Sequence, residues 1–166
     1  KMVAERIFLS YKDKMHIACI RPATVCGLSP RMRLDVSVNI LTFSALEKGL
    51  ITVFGGQQIR PNIHIDDICG VYEFFLGKEH IIPSGFFNAG FENISIMDIA
   101  KKVVSKLPNC KIEVLESNDP RSYRQCSDKL LSYGFIPTKT VDDAISEIIG
   151  SYRSGKLNKD KTCFSV

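Results

Sequence analysis

The order of apolar patterns in this chain predicts an α/β fold with some parallel sheet. Three observations carry that expectation. Short unbroken apolar runs alternate with stretches whose apolar residues recur at helical spacing. Polar residues suited to start helices stand at the joints, at Asp66-Asp67, Ser95 and Thr140. The composition, 45% apolar and 24% charged over 166 residues, gives a globular chain with room for one ordinary domain or part of a larger one.

Residues 1–11 carry apolar side chains at 3, 4, 7, 8 and 11, which is one face of a helix. No N-cap and no turn signal precede them, so the chain reads as entered inside a helix, the later part of a longer protein. Met15–Ile20 is an apolar strand interrupted only by His16. It ends at Arg21-Pro22, where proline removes a ladder donor. A loop follows with Gly27, Pro30 and basic residues at 31 and 33. Asp35 to Lys48 is a predicted helix closed by Gly49. Leu50–Phe54 and Pro61–Ile65 are predicted strands, and Asp66 or Asp67 caps a helix that buries Ile68, Val71, Tyr72 and Phe75.

Gly85–Ala89 is a further buried strand. Ser95, with Asp98 three positions on, is a capping-box start for a helix facing inward through Ile96, Ile99, Ala100, Val103, Val104 and Leu107. Cys110–Leu115 is a strand, and Ser127–Tyr133 a short helix stopped by Gly134. Thr140-Val-Asp-Asp143 opens a last helix with Val141, Ala144, Ile145, Ile148, Ile149 and Tyr152 inward. Past Ser154 the tail is polar and expected to fray, its Lys156–Lys161 cluster solvated.

Composition also excludes. A net charge of +4 without a lysine- or arginine-rich run argues against a nucleic-acid partner and suits a small anionic ligand better. Six scattered cysteines, without a Cys-x-x-Cys pair or a histidine at ligand spacing, read as reduced thiols in a cytoplasmic protein, with no zinc site. No apolar run approaches the ~20 residues of a membrane span. Cys163-Phe-Ser-Val166 matches a prenylation box only superficially, because Phe and Ser are poor middle residues. Asn93-Ile-Ser95 spells a glycosylation sequon, but Ser95 is already explained as a helix cap.

The stretch from Phe54 to Asp67 is the most informative. It places one fixed cation, Arg60, at the exit of a glycine-loosened turn. A guanidinium there suits a diphosphate, since its planar donors pair with phosphate oxygens two at a time. The plainer reading is a surface arginine pairing with Asp66.

Several segments, in order, resemble the carboxyl-terminal half of the extended short-chain dehydrogenase/reductase family, the nucleotide-sugar epimerases and dehydratases. Lys1-Met-Val-Ala-Glu5 looks like that family's Tyr-x-x-x-Lys helix cut just before its lysine. Arg21-Pro-Ala-Thr-Val-Cys-Gly27 fits the strand end and loop that follow, with Thr24 where an asparagine is frequent. Val53-Phe-Gly and Arg60-Pro-Asn-Ile-His-Ile-Asp-Asp67 resemble the Val-Phe-Gly…Arg-x-x-x-His-Val-x-Asp segment. Arg121-Ser-Tyr123 with Lys129, and Gly134-Phe-Ile-Pro137 before a helix, resemble its ending.

The resemblance implies a fold: the carboxyl-terminal part of a Rossmann-type doubly wound parallel sheet plus a smaller α/β substrate-binding domain. Residues 1–34 would end the dinucleotide-binding domain, 35–155 would be mostly substrate domain with 61–90 returning to the Rossmann sheet, and 156–166 a flexible tail. It implies NAD or NADP as cofactor, a nucleotide-diphosphate sugar as substrate, and a homodimer of the full-length protein through Ala4, Phe8 and Tyr11. Lys1 would be the catalytic and ribose-binding lysine, its ammonium favouring a tyrosine phenolate, and Pro22 would wall the nicotinamide. Arg60 and Arg121 would clamp the diphosphate, unless Arg121 merely pairs with Asp119. Thr52, Val53 and Phe54 would line the base pocket, unless Phe54 is core. Thr24 and Asn39 would reach sugar or phosphate, unless they cap local backbone. His64 is an acid/base candidate on paper only, and reads as a satisfied packing residue in an apolar alternating strand.

Epimerase, dehydratase and keto-sugar reductase stay open. The partner tyrosine and the Gly-rich loop are not in this sequence, so this chain alone is expected to catalyse nothing. The alternative is a non-catalytic nucleotide-sugar-binding module, or a split-gene fragment needing a separate dinucleotide-binding domain.

Overall fold

The computed structural model describes residues 1–117 and 121–164. Helix α1 (Met2–Leu9) precedes β1 (Ala18–Pro22) and the short β2 (Thr24–Cys26). Then come α2 (Ser37–Lys48), β3 (Leu50–Phe54), β4 (Ile59–His64) and α3 (Ile65–Phe75). The second half holds β5 (Gly85–Ala89), β6 (Glu92–Ser95), α4 (Ile96–Lys106), β7 (Lys111–Leu115), α5 (Asp128–Ser132) and α6 (Val141–Arg153).

Parallel neighbours need a crossover, and the alternation of helices with strands supplies it. β1 pairs in parallel with β5, from Ala18 opposite Gly85 to Pro22 opposite Ala89. β4 lies between β2, parallel to it, and β6, antiparallel. β3 pairs in parallel with β7, Leu50 opposite Lys111. The expected α/β architecture with parallel strands is therefore present.

Two main cores result. In the first, Val38, Leu41 and Ala45 of α2, Ile99 and Val103 of α4, and Val141, Ile145 and Ile149 of α6 close over Ile51 and Val53 of β3. In the second, Ile68, Val71 and Phe75 of α3 pack on Phe87 and Ala89 of β5, with Leu130 and Phe135. The Phe75 and Phe87 rings meet edge to face at 4.7 Å between centroids.

Polar side chains join the two cores. Asp67 of α3 is buried and accepts three hydrogen bonds from the segment leading into α6. These come from the Thr138 N–H (2.9 Å), the Thr138 hydroxyl (2.9 Å) and the Lys139 N–H (3.2 Å). His64 is also buried, and its Nε2 lies 3.0 Å from Glu147 Oε2 on α6.

Several expectations are corrected here. The cap of α3 is His64, whose Nδ1 accepts the Asp66 N–H at 3.1 Å, and not Asp66 or Asp67. His64 is thus a satisfied packing residue, as expected, buried with both ring nitrogens engaged, and it serves as a polar hub besides. An acceptor at Nδ1 leaves the ring proton on Nε2, facing Glu147. Tyr72 is 54% exposed, because only Ile68, Val71 and Phe75 of its helix reach the core. α2 starts at Ser37, since Asp35 turns back to pair with Arg33 at 2.8 Å. β1 runs on through Pro22, and β2 and β6 lie where no strand was expected; three- and four-residue strands are too short to show a period.

The tail is not frayed. Leu157 and Cys163 are buried against Met32, Leu34 and Ile148, and the Leu34 N–H donates to the Cys163 carbonyl at 2.7 Å. Lys159 pairs with Glu47 at 2.5 Å and lies over the Tyr152 ring. Apolar Leu157 and Cys163, set among lysines, are the residues that dock it. Ser165 and Val166, the end of the prenylation-like box, lie outside the described residues.

Candidate functional site

Strand alternation builds the first wall of the site. Ile51 and Val53 of β3 point into the core, while Leu50, Thr52 and Phe54 face a cleft of about 480 Å³. α2 supplies the opposite wall through Ser37, Ile40, Leu41, Ser44 and Lys48. The Phe54 ring is 58% exposed, so of its two readings the core one is excluded. Val53, grouped with its neighbours in the base pocket, is buried, and its side chain is not available to a ligand.

The turn that follows is shaped by its glycines. Gly55 and Gly56 have φ of 74° and 103°, conformations that a side chain would strain. Gln58 locks the turn, donating to the Phe54 carbonyl at 3.0 Å and accepting the Gly56 N–H at 2.7 Å. The chain then enters β4 and delivers Arg60 to the end of the same cleft.

The guanidinium of Arg60 donates to the backbone carbonyls of Ile59 and Arg121, and its Cζ lies 5.1 Å from the Tyr123 ring centroid. A planar cation on an aromatic face keeps a fixed orientation. Arg121 itself is exposed, so the structure brings the two arginines together through the carbonyl of one and the guanidinium of the other. Asp66, weighed as Arg60's partner, instead has its carboxylate 3.8 Å from Lys139 and 3.7 Å from His64. Asp119, weighed for Arg121, lies outside the described residues.

Residues 121–127 form a strap pinned across β4 and β6. Ser122 accepts the Ile59 N–H, and the Tyr123 N–H donates to the Ile59 carbonyl. The Asn93 amide pairs with both backbone groups of Gln125, at 2.9 and 3.0 Å. Asn93 therefore holds Arg121 and Tyr123 in place, and its engaged amide is the physical reason the sequon is no surface acceptor. Asn93→Ala is expected to lower affinity for an anionic ligand about fivefold, while Asn93→Asp, which keeps only the acceptor for Gln125 N–H, gives an intermediate loss. Equal affinity in both variants and the wild type, measured by calorimetric titration, would count against this role.

Two more cavities lie nearby, the first of them lined in part by the strap. One, of about 490 Å³, lies at the carboxyl ends of β1 and β5 and is lined by Pro22, Thr24, Pro61, Asn88, Tyr123 and Arg124 among others. That end of parallel strands is where α/β folds bind ligands. The other, of about 460 Å³, shares Thr24 and includes Gly27, Arg31, Arg33 and Asn39. Asn39 is buried with its amide engaged, accepting the Gly27 N–H at 3.2 Å and donating to the Arg33 carbonyl at 2.8 Å. It braces the loop, so of its two readings the local one is observed. Gly27, with φ of 103°, has no room for a Cβ, which would come 2.8 Å from His64 Nε2.

Lys139 completes the charge cluster around His64, 2.9 Å from Glu147. Burial works to raise the Glu147 carboxyl, but Lys139 and His64 together hold it below the ordinary glutamate value. His64, Asp66 and Glu147 could group around a metal ion, yet the Lys139 ammonium already stands beside both carboxylates. Beneath the Gly27 loop, burial pushes the Cys26 thiol up to about 12, so it stays protonated and unreactive.

A dinucleotide is not fully provided for. Lys1 is exposed at the head of α1 and Pro22 lines a cavity wall, but the sequence has no G-x-G-x-x-G turn to cradle a pyrophosphate. The residues present do not make a complete NAD(P) site. Ser37, Gln58, Asn88, Asn93, Tyr123 and Arg124 line or brace these cavities and were not assigned by sequence reasoning. Only Tyr123, two positions after Arg121, carried a local signal.

No family model matches the chain. Solved structures do. UDP-glucose 4-epimerase of Thermotoga maritima, solved with UDP-glucose, superposes with a TM-score of 0.78 at 18% identity, over 93% of this chain and 52% of that one. UDP-glucuronic acid 4-epimerase of Bacillus cereus gives 0.75 at 23% identity, over 93% and 51%. dTDP-glucose 4,6-dehydratase of Bacillus anthracis gives 0.75 at 19%, over 93% and 50%. The chain spans about half the length of these proteins. It has, over that half, the α/β fold of the NAD-dependent nucleotide-sugar epimerases and dehydratases of the extended short-chain dehydrogenase/reductase family.

Proposed function

We propose that this chain is the substrate-binding part of an NAD(P)-dependent nucleotide-sugar epimerase or dehydratase acting by hydride transfer at a sugar carbon. The observation that carries the reading is Arg60. It closes the cleft of Thr52 and Phe54, lies on Tyr123 and touches the backbone of Arg121. A base on the exposed Phe54 ring would place its diphosphate on that guanidinium, and the sugar in the cavity of Thr24 and Asn88 beyond.

The cofactor, NAD or NADP, supplies the hydride acceptor when bound, and a dinucleotide-binding half outside this chain would hold its phosphates. Lys1 is this chain's contribution to the reacting end. Helix α1 buries none of its residues and exposes Val3, Ile7 and Phe8, with Tyr11 exposed just past its end, the surface this reading gives to a second copy of the full-length protein.

Titration of the chain with UDP, dTDP, GDP and ADP, each against its nucleoside and against NAD, tests the proposal. The expected result is phosphate-dependent binding of at least one diphosphate in the range of about 10 to 1000 μM, weakened by salt, with NAD bound more weakly. A chain that binds no diphosphate, or binds nucleoside and diphosphate alike, would sink it.

A further inference from the structure

We propose that the cavity at the carboxyl ends of β1 and β5 receives a negatively charged group on the sugar, such as the carboxylate of a hexuronate, with Arg124 as its receptor. This rests on the nucleotide-sugar reading above and narrows its substrate class. The cavity begins where the Arg60 clamp ends: Pro61 follows Arg60, and Tyr123, whose ring lies under that guanidinium, lines its wall. A group joined to a diphosphate on Arg60 therefore enters here.

The chemistry of the lining selects its occupant. Among the described residues no aspartate or glutamate lines this cavity, and Arg124 is its one charged residue. Hydroxyls of a neutral sugar donate as well as accept, and sites that hold them offer carboxylate acceptors. This wall offers hydroxyls, amides and one guanidinium, with no carboxylate among the described residues. Arg124 is exposed on the pinned strap and has no carboxylate partner among the described residues. The neighbouring cavity is different: there Arg33 is paired with Asp35 at 2.8 Å, and Arg31 lies within electrostatic reach of Asp160. A planar guanidinium on this wall matches a carboxylate two bonds at a time.

The test compares UDP, UDP-glucose and UDP-glucuronate by calorimetric titration of the full chain, with Arg124→Gln and Arg124→Lys beside the wild type. UDP-glucuronate is expected to bind about tenfold more tightly than UDP-glucose. In Arg124→Gln that ratio falls to about one, and in Arg124→Lys to an intermediate value, since a point charge pairs less well with a planar anion. A wild-type ratio of one, or a ratio that survives in Arg124→Gln, overturns the inference while leaving the nucleotide-sugar reading standing. Failure of UDP itself to bind overturns both.

Discussion

Replacing Arg60 by alanine is expected to weaken nucleoside-diphosphate binding at least about tenfold, and up to about a hundredfold. The estimate follows from the net loss of one charge-assisted hydrogen bond, about 1.5–3 kcal/mol. The variant also loses the contact with the Tyr123 ring and the Arg121 carbonyl, so the strap is affected too. Arg60→Lys separates the two contributions. It keeps the charge but not the planar fork, and is expected to retain part of the affinity while losing the orientation that stacking confers. Isothermal titration with the tightest diphosphate measures it. Unchanged affinity in Arg60→Ala would mean the guanidinium does nothing but brace the strap.

Asp67→Ala is expected to cost about 3–4 kcal/mol of stability, the largest effect of any single change considered. The carboxylate is 3% exposed and satisfies three donors at Thr138 and Lys139, the point where α3 meets the segment opening α6. Alanine leaves those donors without acceptors, at about 1–3 kcal/mol for a fully buried group and less where water reaches. Asp67→Asn keeps one acceptor oxygen but turns an amino group toward the same donors, so it recovers only part of the loss. Urea unfolding followed by circular dichroism gives the numbers. An alanine variant within about 1 kcal/mol of wild type would show that the junction is held by apolar packing alone.

His64 and Asp67 also show where sequence reasoning stops. Both sit in a motif that was legible as a motif, and both were assigned plain roles. An N-cap is usually Ser, Thr, Asp or Asn, and the aspartates that follow His64 fit that habit. Which side chain takes the first free N–H is decided by where β4 stops, and β4 stops where β2 ceases to pair with it. The docked tail has the same origin. Leu157 and Cys163 are isolated apolar residues, and isolated residues carry no period.

The site divides along the same line. Thr52 and Phe54 on one face and Val53 on the other follow from strand alternation, so their separation was implicit in the pattern. Arg60 at the exit of a Gly-Gly turn was readable as a fixed cation. That its guanidinium would rest on Tyr123, that Asn93 would clip the strap, and that Arg124 would line a cavity with no carboxylate among the described residues were not. Those contacts span 32 residues between Asn93 and Gln125, and 61 between Arg60 and Arg121.

What the sequence by itself determined was the succession of elements, because period, caps and glycines act within a few residues of one another. What only the tertiary structure decided was which polar groups meet: the His64 cap, the Asp67 junction, the strap over Arg60 and the occupied amide of Asn39. A buried polar group must find a partner, but nothing local names it. Its partner is whichever distant segment the packing of the two cores brings within about 3 Å.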